Sequence, residues 1–286
     1  MVYHEEWATK LQERLDHPTN WKEVLDVRYT NSRVLNVPYI ANTAPADAAG
    51  TKGTAFSFTD FTLTNEALTL TTYRDVAVFI DRADLAQVGL DLQMDLADRM
   101  GSILNERIET AMLGSHGDWT NFGDTGGGAL GLAATAFTVS ATNIDDIIRG
   151  VKREIRVANG WSEAKKNGIF IIWRPADFEL LEAFVQANGF SEADIALKNG
   201  TMEGMTYLGV DHYVSNDHTS GHLFAGVKKK YILGICRATW GQLSVLQNPA
   251  GASGANLSGV GLHSRADYSF LGPNISDPLY FDINVN

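Results

Sequence analysis

The chain has 286 residues, 44% of them hydrophobic and 20% charged, which excludes an intrinsically disordered chain and supplies enough apolar material for a substantial core. Lys and Arg number 23 against 34 Asp and Glu, and the resulting net charge of −11 argues against tight nucleic-acid binding, which needs basic groups to displace phosphate counterions. Cys236 is the single cysteine, so an intrachain disulfide is excluded as well.

The N-terminus carries His4, Glu5, Glu6 and Trp7, without the basic start and apolar run of a secretory signal. Trp7, Leu11 and Leu15 recur every four residues, which predicts a short amphipathic helix over 5–16, ended by Pro18. A second short turn or helix follows Asn20. One apolar stripe on so short a helix cannot hold itself folded, so the segment 1–32 needs a surface to lie on. Residues 33–41 read as a strand that Pro38 confines to an edge. Residues 42–55 are small, polar and rich in Gly and Pro, which is loop chemistry. From 56 to 80, alternation of Phe56 with Phe58, Phe61 with Leu63, Leu68 with Leu70, and Val76, Val78 and Ile80 predicts long β structure, with a turn or bulge at Asn65 and Glu66. Strand, tip and return strand make an extended hairpin.

Asp81 is placed to cap a helix, with Asp84 in its first turn. Leu85, Val88, Leu92, Leu96, Met100, Ile103, Leu104, Ile108 and Met112 keep helical spacing to Leu113, and Gly114 supplies the stop. Such a helix of about thirty residues is roughly 45 Å long at about 1.5 Å per residue, which makes it a structural beam. Residues 114–135 read as a glycine-rich loop or hairpin, and Phe137 to Ser140 as a short strand. Asn143 caps a helix from Ile144 to about Ala158, ended by Gly160. The run Ile169 to Trp173 is continuously apolar between Gly168 and Pro175 and reads as a buried central strand. Pro175 opens a helix carrying Phe178, Leu181, Phe184 and Val185, closed by Gly189. Strands follow at 206–215, 222–235 and 239–247, then a Gly/Asn loop at 248–261 and strands at 262–271 and 279–285. No stretch of the chain, Tyr231 to Ile235 included, is apolar for long enough to cross a bilayer. There is no internal repeat, and the class is α+β with an extended N-terminal third.

No constellation looks catalytic, and no cofactor or metal is expected. Gly126, Gly127 and Gly128 lack the Lys-Ser or Lys-Thr of a phosphate-binding loop and read as a flexible loop. Asp211, His212, Asp217, His218 and His222 form a local cluster, but Asn216, Thr219, Ser220 and Gly221 argue for a turn instead of a shared helical face, so a solvated turn is preferred to a metal site. No nucleophile-elbow pattern occurs. Cys236 sits in an apolar strand and reads as inert. Lys228, Lys229 and Lys230 read as a solvated edge, and Asp145, Asp146 and Glu163 as helix-surface charge.

The order of parts resembles the Hong Kong 97-like fold of tailed-bacteriophage major capsid proteins. Residues 61–109 resemble that family's return strand running into its spine helix. Residues 167–200 are similar to the central strand and helix of its axial domain, 208–218 and 222–235 to later strands of that domain, and 264–283 to a closing segment of the peripheral domain. The resemblance implies an N-terminal arm (1–32), an extended loop and return strand (33–80), the spine helix and peripheral domain (81–141), an axial domain (142–230) and a return to the peripheral domain (231–286). It implies a major capsid protein that is not an enzyme and self-assembles into an icosahedral shell around phage double-stranded DNA. The subunits would form pentamers and hexamers, with a portal, a possible decoration protein, and DNA enclosed without sequence-specific binding. Assembly would take place in the host bacterial cytoplasm and the protein would end in the virion, without contact to a membrane. Met1 stands some fifty residues before the loop return, leaving no room for a cleaved scaffolding segment, so a separate scaffolding protein is expected.

In this reading Trp7, Trp21, Phe56, Phe58 and Phe61 are poorly covered within their own chain and are candidates for contact between subunits. Lys52 at the loop tip and Asn248 and Asn256 in the opposing loop are further contact candidates. The same three invite a Lys-to-Asn cross-link, but residues 248–261 contain no carboxylate to accept the proton, so no cross-link is expected. Deleting 1–32 or 44–53 is expected to leave a folded body that forms no shell. Two alternatives remain: a compartment of the same fold enclosing an enzyme cargo, and a metal-dependent enzyme built on the 211–222 cluster.

Overall fold

The architecture comes from a computed structural model that describes residues 19–40, 52–53, 62–81, 92–119, 124–125, 137–187, 206–218, 221–247, 259–273 and 279–285. In chain order the elements are α1 (Trp21–Val24), β1 (Asp26–Thr30), β2 (Val34–Ile40), β3 (Leu63–Thr69), β4 (Thr72–Asp81), α2 (Leu92–Ser115), a 3-10 turn (His116–Asp118) and β5 (Asp124–Thr125). They continue with α3 (Asp145–Val157), α4 (Trp161–Asn167), β6 (Ile169–Trp173), α5 (Pro175–Ala187), β7 (Thr206–Tyr207), β8 (Val210–Val214), β9 (His222–Val227), β10 (Ile232–Cys236), β11 (Leu243–Gln247), β12 (Gly259–Leu271) and β13 (Tyr280–Asn284).

The first sheet is organised around β12. One edge of β12 pairs with β4 from Gly259–Asp81 to Tyr268–Thr72. Its other edge pairs first with β11 and then with β10, and β10 pairs in parallel with β1. Helix α2 lies on this sheet: Met100 packs with Ile80, Val260 and Leu262. The second sheet has the order β5-β13-β9-β6-β8-β7. Its strand β6 is buried at all five positions, as its unbroken apolar run demands. The amphipathic α3 covers this sheet with Ile147, Ile148, Val151 and Ile155. One continuous core runs through both sheets and the end of α2, with an aromatic seam of Trp119, Phe170, Phe224, Tyr231, Phe270 and Tyr280.

Two residues near the crossover between the sheets show why glycine is needed. A Cβ on Gly226 would meet the Leu279 carbonyl at 2.6 Å, and one on Gly160 would meet Leu279 Cδ2 at 2.2 Å. Gly160 therefore stands where β13 approaches, besides ending α3.

Several expectations are corrected. The segment 1–32 is not all arm: α1 and β1 belong to the body. Trp21 is not an uncovered contact residue. It is 0% exposed, lies in the main core and meets Trp240 edge-on at 6.0 Å. The cause is a pairing invisible in the local pattern, since β1 aligns with β10 some two hundred residues away. A deletion of 1–32 would remove core, not only arm. The break expected at Asn65 and Glu66 lies instead after Thr69, where the chain leaves β2 and joins β12. Asn65 stays in the strand because its Nδ2 donates to Asn36 Oδ1 at 3.0 Å across the ladder. The residues 161–167, left without an element by the sequence, form α4. The strand 222–235 is two strands in different sheets. Lys228, Lys229 and Lys230 are not a solvated edge but the turn joining those strands, with Lys229 at φ 60°. The loop 248–261 gives up its last three residues to β12, and α2 runs two residues past Leu113.

Candidate assembly surfaces

The β2–β3 ribbon has two faces set by the period of a strand. Leu35, Val37 and Tyr39 share one face with Leu68, and at its root Val37 and Leu68 bury against Ile232. Gly234 lies under that root: a Cβ there would sit 2.6 Å from Leu68 Cδ2 and 3.2 Å from Leu70 Cδ2. The other face carries Val34, Asn36, Pro38 and Ile40 opposite Thr69, Ala67, Asn65 and Leu63, and every one of these is exposed. At the far end Ile40 and Leu63 stand directly opposite each other, 48% and 67% exposed. A two-stranded ribbon is marginal alone in water. Val34, Pro38, Ile40, Leu63 and Ala67 make much of this exposed face apolar, which makes it a candidate interaction surface.

A second exposed apolar stretch is β11, at the end of the strand order of the first sheet. Leu243 and Val245 point to one face and Leu246 to the other, and all three are exposed. Leu246 lies on the same face as the exposed Phe79, since both align with Gly261.

Where the N-terminal segment joins the body, α1 is held at both ends by hydrogen bonds to Glu109 and Lys229. At its start Glu109 of α2 accepts hydrogen bonds from the backbone N–H of Asn20 (3.1 Å) and Trp21 (3.0 Å) and from Asn20 Nδ2 (3.3 Å). At its end the Lys229 backbone N–H donates to Val24 O at 2.7 Å, and its Nζ donates to Lys22 O and to Leu25 O. These are the orphan groups of a helix, met by acceptors at its start and donors at its end. Burial pushes the Glu109 carboxyl up to about 7, against the lowering effect of its hydrogen bonds. Burial also lowers Lys229. The other two lysines are engaged as well: Lys228 Nζ pairs with Asp211 at 2.6 Å and Lys230 Nζ with Glu163 at 2.5 Å.

Of the contact candidates read from the sequence, Lys52 lies in an exposed turn. Trp7, Phe56, Phe58, Phe61, Asn248 and Asn256 lie outside the described residues, and Trp21 is core. The strand alternation pointed to the ribbon, but Val34, Ile40, Leu243, Val245 and Leu246 were not singled out. Their signal was apolar residues at solvent positions of edge strands.

The 211–222 cluster is dispersed. His212 Nδ1 accepts from Trp173 Nε1 at 2.9 Å inside the core, and burial holds His212 down at about 4. Burial likewise holds His218 down at about 3. His222 Nδ1 instead faces Asp282, at 3.0 and 3.1 Å from its two oxygens. Among the described residues no group of three or more His, Cys, Asp or Glu is arranged to hold a metal ion. No described helix is long and apolar enough to cross a membrane.

No family model matches the chain, and no curated protein matches it by sequence. Solved structures do match over nearly its whole length. A chain from Mycobacterium phage Che8 is 14% identical, with 99% of this chain and 97% of that one covered and a TM-score of 0.70. The capsid of a native GTA particle is 13% identical, with 99% and 95% covered and a TM-score of 0.68. The capsid of the cyanophage P-SCSP1u is 12% identical, with 100% and 93% covered and a TM-score of 0.60. The chain therefore has the Hong Kong 97-like capsid fold, an α+β architecture.

Proposed function

We propose that this chain is the major capsid protein of a tailed bacteriophage. It self-assembles into an icosahedral shell that encloses double-stranded DNA. The observation that carries the reading is the end-to-end match to capsid chains, 99% of this chain against 95% of the GTA capsid chain. The β2–β3 ribbon adds a physical reason: its exposed outer face ends in the apolar pair Ile40 and Leu63, and a second copy of the chain is the occupant that a shell supplies.

In this reading the first sheet with α2 is the peripheral domain, and the second sheet with α3, α4 and α5 is the axial domain, directed at the five- and six-fold axes. The hairpin from β2 to β3 reaches over a neighbouring subunit. The chain acts as pentamers and hexamers, with a separate scaffolding protein, a portal and in some particles a decoration protein as partners. Assembly belongs to the bacterial cytoplasm and the product to the virion. The net charge of −11 suits a wall that must not hold its DNA.

Electron microscopy of the expressed full chain, alone and with a scaffolding protein, tests this. Closed icosahedral shells are expected, and shells are lost when Ile40 and Leu63 are both changed to Asp. A chain that stays monomeric at high concentration under both conditions ends the reading. A second reading, a compartment around a protein cargo, draws on the match to the virus-like particle from Pyrococcus furiosus, which is 11% identical with a TM-score of 0.57. DNA in particles from infected cells supports the first reading and protein cargo the second.

A further inference from the structure

His116 is the point at which the long helix is fastened to the second sheet. It opens the 3-10 turn after α2, and its ring is 3% exposed. Nδ1 lies 3.1 Å from the Leu113 carbonyl oxygen. Nε2 lies 3.1 Å from Asp282 Oδ1 on β13. A backbone carbonyl and a carboxylate only accept hydrogen bonds, and a neutral imidazole carries one N–H. Either neutral tautomer would therefore turn a bare nitrogen lone pair toward an oxygen in a buried place, which is costly.

We propose that His116 is held with hydrogen on both ring nitrogens, as a cationic latch that pins the C-terminal end of α2 to β13. The surroundings favour a cation. The ring follows the C-terminus of a long helix, where unpaired carbonyls concentrate negative charge. Its centroid is 4.6 Å from the ring of Phe224. Gly117 brings the turn so close to β13 that a Cβ on it would be 2.9 Å from Asp282 Oδ2.

Among the described residues, the charged and titratable groups around the latch are Asp118 on the same turn, Asp282 on β13, His222 on β9, His218 after β8 and Arg174 between β6 and α5. Burial pushes the Asp282 carboxyl up, but the hydrogen bonds and charge of His116 and His222 hold it below the ordinary carboxylate range. His218 resists protonation, first through burial and then through the charges of His116 and Arg174. A cavity of about 170 Å³, lined in part by Gly114, Asp118, His222 and Asp282, gives water a path to the pair. Acid breaks the latch by protonating Asp282, whose carboxylate is one of the two acceptors that the ring holds. The device belongs to the folded subunit and stands whether or not the chain builds a shell.

The test is nitrogen NMR of the histidine rings in the full-length, 15N-histidine-labelled chain near pH 7, with His116 assigned through its own backbone so that no variant is needed. Two protonated ring nitrogens on His116 are expected; one bare nitrogen there overturns the proposal. Hydrogen exchange supplies the mechanical readout. At one fixed pH near 7, His116→Gln, which replaces only the Nε2 donor, should lower protection over 113–119 and 280–284 by about tenfold relative to wild type; unchanged protection also overturns the latch.

Discussion

The β6 strand and the β2–β3 ribbon are both apolar β structure, and they dispose of their side chains in opposite ways. All five residues of β6 are buried, between β8 and β9 and under the helices. The ribbon buries one face at its root and leaves the whole of the other face in water. The first region is satisfied by its own chain; the second is not. The difference teaches that hydrophobic content alone does not locate the core. What decides is whether the topology supplies a second layer, and for the ribbon's outer face the described chain supplies none.

The comparison breaks most visibly in the body. Phe224 is 0% exposed and packs its ring against those of Phe170, Tyr280, Trp119 and His116. Phe224→Ala should cost about 3–5 kcal/mol of folding stability, through lost transfer energy plus the cavity left behind. Chemical denaturation of the unassembled chain measures it. A loss near zero would mean that the two-sheet core is not a single packed unit.

The next effect concerns Glu109, which ties the entering segment to the body. Its carboxyl titrates near 4.5 when unfolded and near 7 when folded, so the folded chain holds an extra proton between those values. The contribution is fullest below about pH 4.5 and is lost as pH rises through about 7, a swing of about 3 kcal/mol. His212 and His218 act with the opposite sign. Their folded values are depressed, so their contribution is full above about 6.5 and lost as pH falls toward 4 and 3. The difference between wild type and Glu109→Gln across pH 4.5–7 isolates the carboxyl. A difference that does not change with pH would show that Glu109 is not the titrating group.

A good part of this molecule was legible in the residues themselves. The run Ile169 to Trp173, the helical spacing from Leu92 to Leu113 and the alternation from Leu63 to Ile80 are local signals, and each produced its element; the parts of the latter two readings at 82–91 and 56–61 lie outside the described residues. Glu109 was invisible because its partners Asn20 and Trp21 are 89 and 88 positions away. His116 and Asp282 are 166 positions apart, with no motif spacing to join them. Trp21 was misplaced for the same reason: it lies in a polar stretch, and only the parallel pairing of β1 with β10 brings it inside. His212 and His222 are close in sequence, but they stand in different strands, one in the core and one on Asp282. Proximity along the chain was a poor guide to chemistry here, and strand pairing was the missing quantity.

The joint between the two regions gives a smaller effect. Gly234 lets Leu68 and Leu70 lie down on β10. In Gly234→Ala the new methyl must displace the far ends of both leucine side chains, a strain of about 1–3 kcal/mol. The expected result is a folded body with a loosened ribbon, seen as faster hydrogen exchange over 34–40 and 63–69 with the exchange of β6 unchanged. Equal acceleration in both would mean that ribbon and body unfold together.

The smallest effect on folding should come from the ribbon's outer face, and this is where the contrast is sharpest. Ile40→Ser with Leu63→Ser removes two apolar side chains that are already about half or more in water. Surface substitutions of this kind change folding stability by about 0.5 kcal/mol or less. If the face is reserved for another copy of the chain, the same pair should still slow or abolish particle formation. The loss is repeated at every subunit, and linked contacts weaken together. Denaturation and light scattering on one preparation separate the two quantities. A variant that folds as wild type and assembles as wild type would remove the ribbon from the assembly surface. A variant that loses about 3 kcal/mol or more would mean that the ribbon is core after all.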